Sequence, residues 1–131
     1  MIPIQWKQKD KETMQVNEAE NGVVYLTWPA LEKIDIIRHA FSTRLGGVSK
    51  EHLFSMNLSF SRGDDPANVR ENYRRFCEAV GFEVENIVTS DQTHTTNVRY
   101  VTKADCGSGV TRDRDFHEID GMITDEPGVV L

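Results

Sequence analysis

The sequence is poor in cysteine, and its two cysteines are not arranged as a site. Cys77 and Cys106 lie far apart in the 131-residue chain, and neither has a second cysteine or a histidine beside it at metal-ligand spacing. This pattern excludes a zinc finger and a Cys-x-x-Cys redox motif. Reduced thiols are typical of a cytoplasmic protein, which is the location that we expect.

The chain also lacks long hydrophobic runs and an excess of positive charge. No segment approaches the ~20 apolar residues of a membrane span, and the first residues lack the basic-then-apolar layout of a signal peptide. Asp and Glu number 21 against 15 Lys and Arg, giving a net charge of −6. This balance argues against nucleic acid or a membrane surface as partner, so an anionic ligand must be held by a local site.

The composition nevertheless provides enough apolar residues for a core. Hydrophobic residues make up 38% of the chain and charged residues 27%, as in ordinary globular proteins. This length suffices for one domain, and no internal repeat, low-complexity tract or linker interrupts it. We therefore expect residues 1–131 to form a single domain.

The first part of the chain has the alternating pattern of β-strands. Residues 14–16 and 23–27 flank Asn21-Gly22, a dipeptide that tolerates the positive φ angles of a tight turn. This arrangement predicts a β-hairpin, and residues 36–42 predict a further strand.

The middle of the chain predicts one more strand and one long helix. Residues 54–60 alternate between apolar and polar side chains, which predicts a strand with Asn57 on its polar face, either lining a pocket or facing water. Residues 66–80 carry an apolar stripe at helical spacing, with Asp65 as the N-terminal cap and Gly81 at the C-terminal end.

A histidine lies among short polar residues in the second half of the chain. His94 falls between residues 87–89 and 98–102, both of which predict strands, as do residues 120–125. A neutral imidazole binds zinc or copper and transfers protons near neutral pH. Equally, a histidine beside a strand can be a hydrogen-bonded structural residue, so the pattern leaves both interpretations open.

Arg44 precedes a pair of glycines, Gly46 and Gly47, directly after the strand predicted over residues 36–42. The glycines allow backbone N–H groups to turn inward, and a guanidinium matches phosphate or carboxylate with a rigid set of donors. The segment therefore indicates an anion site, with a plain glycine turn and a solvated Arg44 as the alternative.

Taken together, several motifs resemble those of the laccase-domain family, the YfiH- or YlmD-like proteins. The resemblance covers residues 36–131 and rests on motifs that keep one order and spacing. The motifs are Phe41-Ser42-Thr43-Arg44-Leu45-Gly46-Gly47-Val48-Ser49, Met56-Asn57-Leu58, Gly63-Asp64-Asp65-Pro66 with Val69 and Asn72, Gln92-Thr93-His94, and Asp120-Gly121-Met122-Ile123-Thr124 with Pro127-Gly128-Val129.

The resemblance implies an α/β (α+β) fold of layered, mixed β-sheets with packed helices, the YfiH-like or CNF-like fold. The family was once described as multicopper polyphenol oxidases and is now regarded as purine nucleoside phosphorylases. Its members cleave adenosine, inosine, guanosine or methylthioadenosine with phosphate, giving a base and ribose or methylthioribose 1-phosphate, and they deaminate adenosine. The implied partners are a small purine nucleoside and phosphate, and the implied cofactor is zinc or copper.

The resemblance also assigns roles to particular residues. His94 corresponds to the histidine of the family's Gln-x-His motif and is expected to be catalytic and a metal ligand. Arg44 corresponds to the arginine of the Phe-Ser-x-Arg-x-Gly-Gly motif. We expect it to bind substrate together with Ser42, Gly46, Gly47 and Asn57.

Two family ligands have no counterpart in the expected order. The family's cysteine follows its Pro-Gly-Val strand in an Ala-Asp-Cys motif, and its second histidine lies further on in His-x-Gly-Trp-Arg; both would fall beyond Leu131. Ala104-Asp105-Cys106 has the same three residues but precedes Asp120, so we interpret it as a coincidence. We expect the chain to be an N-terminal part of the domain, inactive alone, and the intact protein to be an enzyme.

Three other functions stay open at this point. A Cys-His hydrolase or deamidase would use His94 to activate a thiolate. A non-catalytic anion- or nucleotide-binding module would use Arg44 with Gly46 and Gly47. A copper polyphenol oxidase is the third, and it would need more copper ligands than one cysteine and two histidines provide.

Overall fold

A computed structural model describes residues 13–131, whose strands form two sheets. The chain divides into two compact units, the first extending to Val80 and the second comprising Gly81–Leu131. The residues examined for a signal peptide lie outside the described range. Within residues 13–131, no helix is long and apolar enough to cross a membrane.

The first unit contains a three-stranded antiparallel sheet in the order β1-β2-β3. Its strands are β1 (Gln15–Glu18), β2 (Val24–Thr27) and β3 (Phe41–Ser42). The predicted hairpin is confirmed, because β1 and β2 pair directly and Gly22 takes a φ of +81° between them. The Gly22 N–H donates to the Ala19 carbonyl at 2.9 Å, which closes the turn.

The strand predicted over residues 36–42 is shorter in the structure. A short helix, α1 (Pro29–Glu32), follows β2. Of the predicted strand, only Phe41–Ser42 pairs with β2, as β3. The Ile37 N–H donates to the Ile34 carbonyl at 3.0 Å. Residues 34–37 therefore form a turn instead of the start of a strand. Local turn bonds therefore replace the first part of the predicted ladder.

The strand predicted over residues 54–60 is wrong. A 3₁₀ turn at Glu51–Leu53 leads into irregular backbone, and the alternation does not describe burial: Phe54 is 54% exposed whereas Ser55 is 3% exposed. The backbone N–H groups of Ser55 and Met56 both donate to the Arg44 carbonyl. This segment is therefore held by a loop rather than by a neighbouring strand.

The predicted long helix is confirmed as α2 (Pro66–Val80). Asp65 acts as the N-terminal cap, because its Oδ1 accepts the Ala67 N–H at 2.8 Å. The helix buries Val69, Tyr73 and Cys77 in the core of the first unit. Other buried apolar side chains of this unit are Val23, Val24, Leu26 and Met56.

The second unit is built around two short parallel strands, β4 (Val98–Tyr100) and β5 (Gly121–Ile123). β4 confirms the first three residues of the strand predicted over 98–102, and β5 confirms residues 121–123 of the strand predicted over 120–125. Residues 87–89 contribute a single bridge, from Ile87 to Val130. The core of this unit consists of Val88, Val101 and Phe116, with Ile119, Met122 and Val129 packed against them.

Candidate functional site

An open cleft with a volume of about 620 Å³ lies in the first unit. Its charged or titratable lining side chains are Arg44, Arg62 and His52, and no carboxylate among the described residues lines it. The complete lining is Arg44, His52, Leu53, Phe54, Met56, Asn57 and Arg62. A cleft with basic and apolar walls suits an anion attached to, or bound beside, a less polar group. We call it the Arg44 cleft.

Arg44 is anchored at one end of its guanidinium. Its Nε donates to the Phe54 carbonyl at 2.8 Å, while its own carbonyl accepts the N–H groups of Ser55 and Met56. No hydrogen bond from Nη1 or Nη2 to another described residue occurs. The terminal nitrogens are thus held in place yet available, as bidentate binding of an oxyanion requires.

The two glycines allow their own loop to lie very close to the backbone of two other segments, Gly46 against Val23 and Gly47 against Ser55. A Cβ on Gly46, whose φ is +93°, would lie 2.4 Å from the Val23 Cα, and a Cβ on Gly47 would lie 2.1 Å from the Ser55 carbonyl oxygen. The Gly47 N–H donates to Ser55 Oγ at 3.2 Å. This amide is therefore used inside the loop, and the anion hypothesis depends chiefly on Arg44.

The predicted substrate-binding residues divide into two groups. Arg44 and Asn57 both line the cleft. The described lining does not include Ser42, Gly46 or Gly47. Ser42 is half-buried in β3, where it pairs with Tyr25. Substrate contact by these three residues stays a prediction.

A polar network supports the wall of the cleft. Asp64 accepts hydrogen bonds from Ser49 Oγ, from Asn57 Nδ2 at 3.0 Å and from Asn68 Nδ2 at 3.1 Å. The bond from Asn57, followed by those from Ser49 and Asn68, lowers the pKa of Asp64 to about 2. Asp64 is therefore a charged acceptor at neutral pH that fixes the Asn57 side chain.

Asn72 joins the same network from α2 and is fully buried. Its Nδ2 donates to Ser49 Oγ and to the Asn57 carbonyl, both at 2.8 Å, and its Oδ1 accepts the Val48 N–H at 2.8 Å. The Asn72 side chain thus connects α2 both to residues 48–49, which follow the glycine pair, and to Asn57.

Replacing Asn72 by leucine is expected to destabilise the protein by about 2 to 4 kcal/mol, since a buried polar group left without a partner costs ~1–3 kcal/mol. Asn68→Leu is the matched control on the same helix, because Asn68 donates one side-chain bond, to Asp64. Urea unfolding of both variants measures the difference. Equal losses would contradict the role assigned to Asn72.

His94 lies in a loop of the second unit, residues 91–97, which we call the His94 loop. Its side chain is exposed and its φ is +64°. The backbone N–H groups of Thr93, His94 and Thr95 all donate to the Asp120 carboxylate at 3.0 Å. Within residues 13–131 the His94 imidazole has no hydrogen-bond partner, so the loop is ordered through its backbone and the ring is presented outward.

Asp120 and Asp91 fix the two ends of this loop. The N–H groups of Thr95 and Thr93 are the main causes that lower the pKa of Asp120 to about 2. Asp91 accepts the Glu118 N–H at 3.1 Å, which is the main cause of its lowered pKa, and its carbonyl accepts the Ile119 N–H at 3.0 Å. Residues 118–120 therefore form the scaffold that positions His94.

A metal site is not complete within the part of the chain that the structure describes. No group of three His, Cys, Asp or Glu residues among residues 13–131 is placed to hold an ion. His94 offers one imidazole, whereas a catalytic zinc normally has three protein ligands. Asp105, next to Cys106, contacts Arg99 at 2.8 Å. It also accepts the N–H of Thr102, the N-cap of a 3₁₀ turn, in a capping box. The described residues alone therefore do not fit a resident zinc or copper ion.

Comparison with solved structures gives the class of fold. The chain superimposes on the crystal structure of YlmD from Geobacillus stearothermophilus with a TM-score of 0.72 and 32% identity, covering 91% of this chain and 43% of that one. It also matches the crystal structure of the Bacillus licheniformis hypothetical protein YfiH with a TM-score of 0.65 and 26% identity, covering 93% and 41%. The structure thus has the mixed α/β fold of these proteins, as predicted.

A family model described as multi-copper polyphenol oxidoreductase laccase matches residues 38–131. The chain belongs to this laccase-domain family, which confirms the resemblance found in its motifs. It is 38% identical over 94 residues to purine nucleoside phosphorylase YlmD of G. stearothermophilus, covering 69% of this chain and 33% of that protein. It is 35% identical over 95 residues to purine nucleoside phosphorylase of Deinococcus radiodurans, covering 72% and 33%. The chain spans about a third of the length of these relatives.

Sequence reasoning missed the residues that build and complete these sites. Asp120 and Asn72 both occur in the quoted family motifs, and this was the available signal for a supporting role. Arg62 and His52 lie in no motif, and only the structure brings them to the Arg44 cleft.

Proposed function

We propose that this chain contributes a phosphate-binding cleft and a catalytic histidine to a purine nucleoside phosphorylase. The observation that carries the proposal is the Arg44 cleft, whose anchored guanidinium faces no carboxylate among its described lining residues. It is supported by relatives that are named purine nucleoside phosphorylases. The proposed substrates are adenosine, inosine, guanosine or methylthioadenosine together with phosphate, and adenosine deamination is proposed as a second, hydrolytic activity.

The chemistry of phosphorolysis assigns distinct tasks to the two regions. A phosphate oxygen forms a bond to C1′ of the ribose while the bond from C1′ to the purine nitrogen breaks, and the departing base takes up a proton. Arg44 would hold the phosphate and offset its charge. His94 would move the proton, since imidazole exchanges protons near neutral pH. The resulting products are the free base and ribose 1-phosphate.

The alternative role proposed for His94 is that of one ligand of a zinc or copper ion, because an imidazole nitrogen that binds a metal no longer exchanges a proton near neutral pH. Since one imidazole does not complete a catalytic metal site, we expect the 131-residue chain alone to show no nucleoside turnover. Measurable base release by the purified chain would refute this expectation.

The second candidate is a non-catalytic anion-binding module, which is favoured by the fact that the basic residues of the cleft all belong to the first unit. Titration of inorganic phosphate into the protein, followed by calorimetry and turnover assays, separates the two candidates. For an enzyme, Arg44→Gln should raise the phosphate KM and weaken binding by roughly 10- to 100-fold. His94→Asn should reduce kcat and leave phosphate binding nearly unchanged.

Arg44→Lys is the conservative control, because it keeps the charge but not the planar set of donors. Intermediate phosphate affinity in this variant is expected. If phosphate binds and depends on Arg44 while no nucleoside is cleaved by the intact protein, the binding-module function replaces the enzymatic one.

A further inference from the structure

We infer that Arg62 is a second phosphate ligand of the Arg44 cleft and that His52 is a third polar contact, so that the cleft selects a dianionic phosphate. The inference rests on the proposed function, because it takes phosphate as the ligand of Arg44, and it assigns the selectivity of that site. Arg62 and His52 both line the cleft with Arg44.

The local charge of the cleft is opposite in sign to that of the whole chain. The chain carries a net charge of −6, yet the Arg44 cleft has two guanidinium groups in its wall and no acidic side chain among the described residues lining it. Grouping like charges without compensation disfavours the folded state through repulsion. An anion bound between them would remove that repulsion.

The acidic residues nearest to Arg62 in the sequence do not neutralise it. Asp64 lies two positions further on, but its oxygens accept hydrogen bonds from Ser49, Asn57 and Asn68. No ion pair of Arg62 with any described residue is present. Asp65, the next carboxylate in the sequence, caps α2 by accepting the Ala67 N–H. Both nearby carboxylates therefore have other partners, and the Arg62 guanidinium remains available to a ligand.

Arg44 and Arg62 differ from most other arginines of the described chain in their partners. Five of them contact carboxylates at 4.0 Å or less: Arg74 and Arg75 with Glu71, Arg99 with Asp105, Arg112 with Asp115, and Arg114 with Asp91. Both arginines of the cleft lack such a partner among the described residues. Arg70 on α2 also lacks one, but it does not line the cleft, and it serves as a control.

The shape and lining of the cleft define the class of ligand. Its volume of about 620 Å³ exceeds that of a phosphate ion several-fold, which leaves room for a sugar beside the ion. Two guanidinium groups carry two positive charges, which a phosphate dianion compensates and a monoanion such as nitrate does not. The cleft thus fits inorganic phosphate or the phosphate group of a sugar phosphate.

The test is a titration of the 131-residue chain with inorganic phosphate and, separately, with nitrate. Arg62→Gln is expected to weaken phosphate binding by roughly tenfold and to change nitrate binding by less. Arg62→Lys should recover part of the loss, and His52→Gln should cause a smaller one. Arg70→Gln, the matched exposed arginine, should leave the phosphate affinity within about twofold of the original.

Equal phosphate affinities of the Arg62→Gln and Arg70→Gln variants would overturn the inference, as would equal loss of phosphate and nitrate binding in Arg62→Gln. Unfolding curves that match the original protein establish that the variants fold. The two proposals fail separately. Nucleoside phosphorolysis with an unchanged phosphate KM in Arg62→Gln would refute the role of Arg62 alone, whereas Arg62-dependent phosphate binding without phosphorolysis would refute the enzymatic function alone.

Discussion

Gly47→Ala is expected to destabilise the first unit by about 3 kcal/mol or more, the upper part of the range for overpacking. The added Cβ would lie 2.1 Å from the Ser55 carbonyl oxygen and 2.6 Å from the Met56 Cα. Both are backbone atoms, so no side-chain rotation relieves the overlap. Because Arg44 is bonded to the same Ser55 segment, the displacement should also weaken phosphate binding.

Gly63→Ala is the control for this substitution. A Cβ on Gly63 meets nothing within 4 Å, but its φ of +81° disfavours an L-residue, at a cost of about 1 to 2 kcal/mol. Urea unfolding should therefore show a clearly larger loss of unfolding free energy for Gly47→Ala than for Gly63→Ala. If Gly47→Ala costs no more than Gly63→Ala, the close approach of the two backbones is not a determinant of the fold.

Asp120→Asn is expected to release the His94 loop. If His94 has the catalytic role proposed above, turnover of the intact protein should fall by at least about tenfold, because a displaced catalytic group commonly costs that much. The carboxylate accepts three successive backbone N–H groups, and an amide NH₂ cannot accept from one of them. Hydrogen exchange of the Thr93, His94 and Thr95 amides should accelerate roughly tenfold or more. Asp125→Asn is the control, since Asp125 contacts the Tyr100 hydroxyl and not this loop.

The same bonds predict a pH dependence. The pKa of Asp120 is lowered from 3.8 to about 2, so its contribution to stability is complete above pH ~4 and is lost as the pH falls through about 2. The amide chemical shifts of Thr93, His94 and Thr95 should therefore titrate together with a midpoint near 2. Separate midpoints, or a shared midpoint at the ordinary value, would show that Asp120 does not hold the loop in solution.

The sequence was sufficient where local chemistry decides the structure. Asp65 and Gly81 correctly delimit α2, and Asn21-Gly22 correctly marks the hairpin, since caps and turns depend on neighbouring residues. The motifs were also sufficient for the family and the fold class, because several in one order are more specific than one.

Sequence patterns failed where tertiary hydrogen bonds override them. Residues 54–60 alternate like a strand, yet Phe54 is exposed and Ser55 is buried. The Ser55 Oγ accepts the Gly47 N–H and donates to the Arg44 carbonyl. The Arg44 cleft combines residues from different segments, and Arg62 has no signal of its own in the sequence. Polar networks such as that of Asp64 and Asn72 arise between segments, and periodicity contains no information about them.

Analysis of the reaction products tests the central claim most directly. The intact protein is incubated with inosine and inorganic phosphate, and the sugar product is identified by ³¹P nuclear magnetic resonance, with Arg44→Gln as the comparison. If Arg44 binds the phosphate that attacks C1′, ribose 1-phosphate should form in proportion to hypoxanthine, at a rate that depends on phosphate and falls in Arg44→Gln. Free ribose released at a rate independent of phosphate, or no cleavage, would refute phosphorolysis at this cleft.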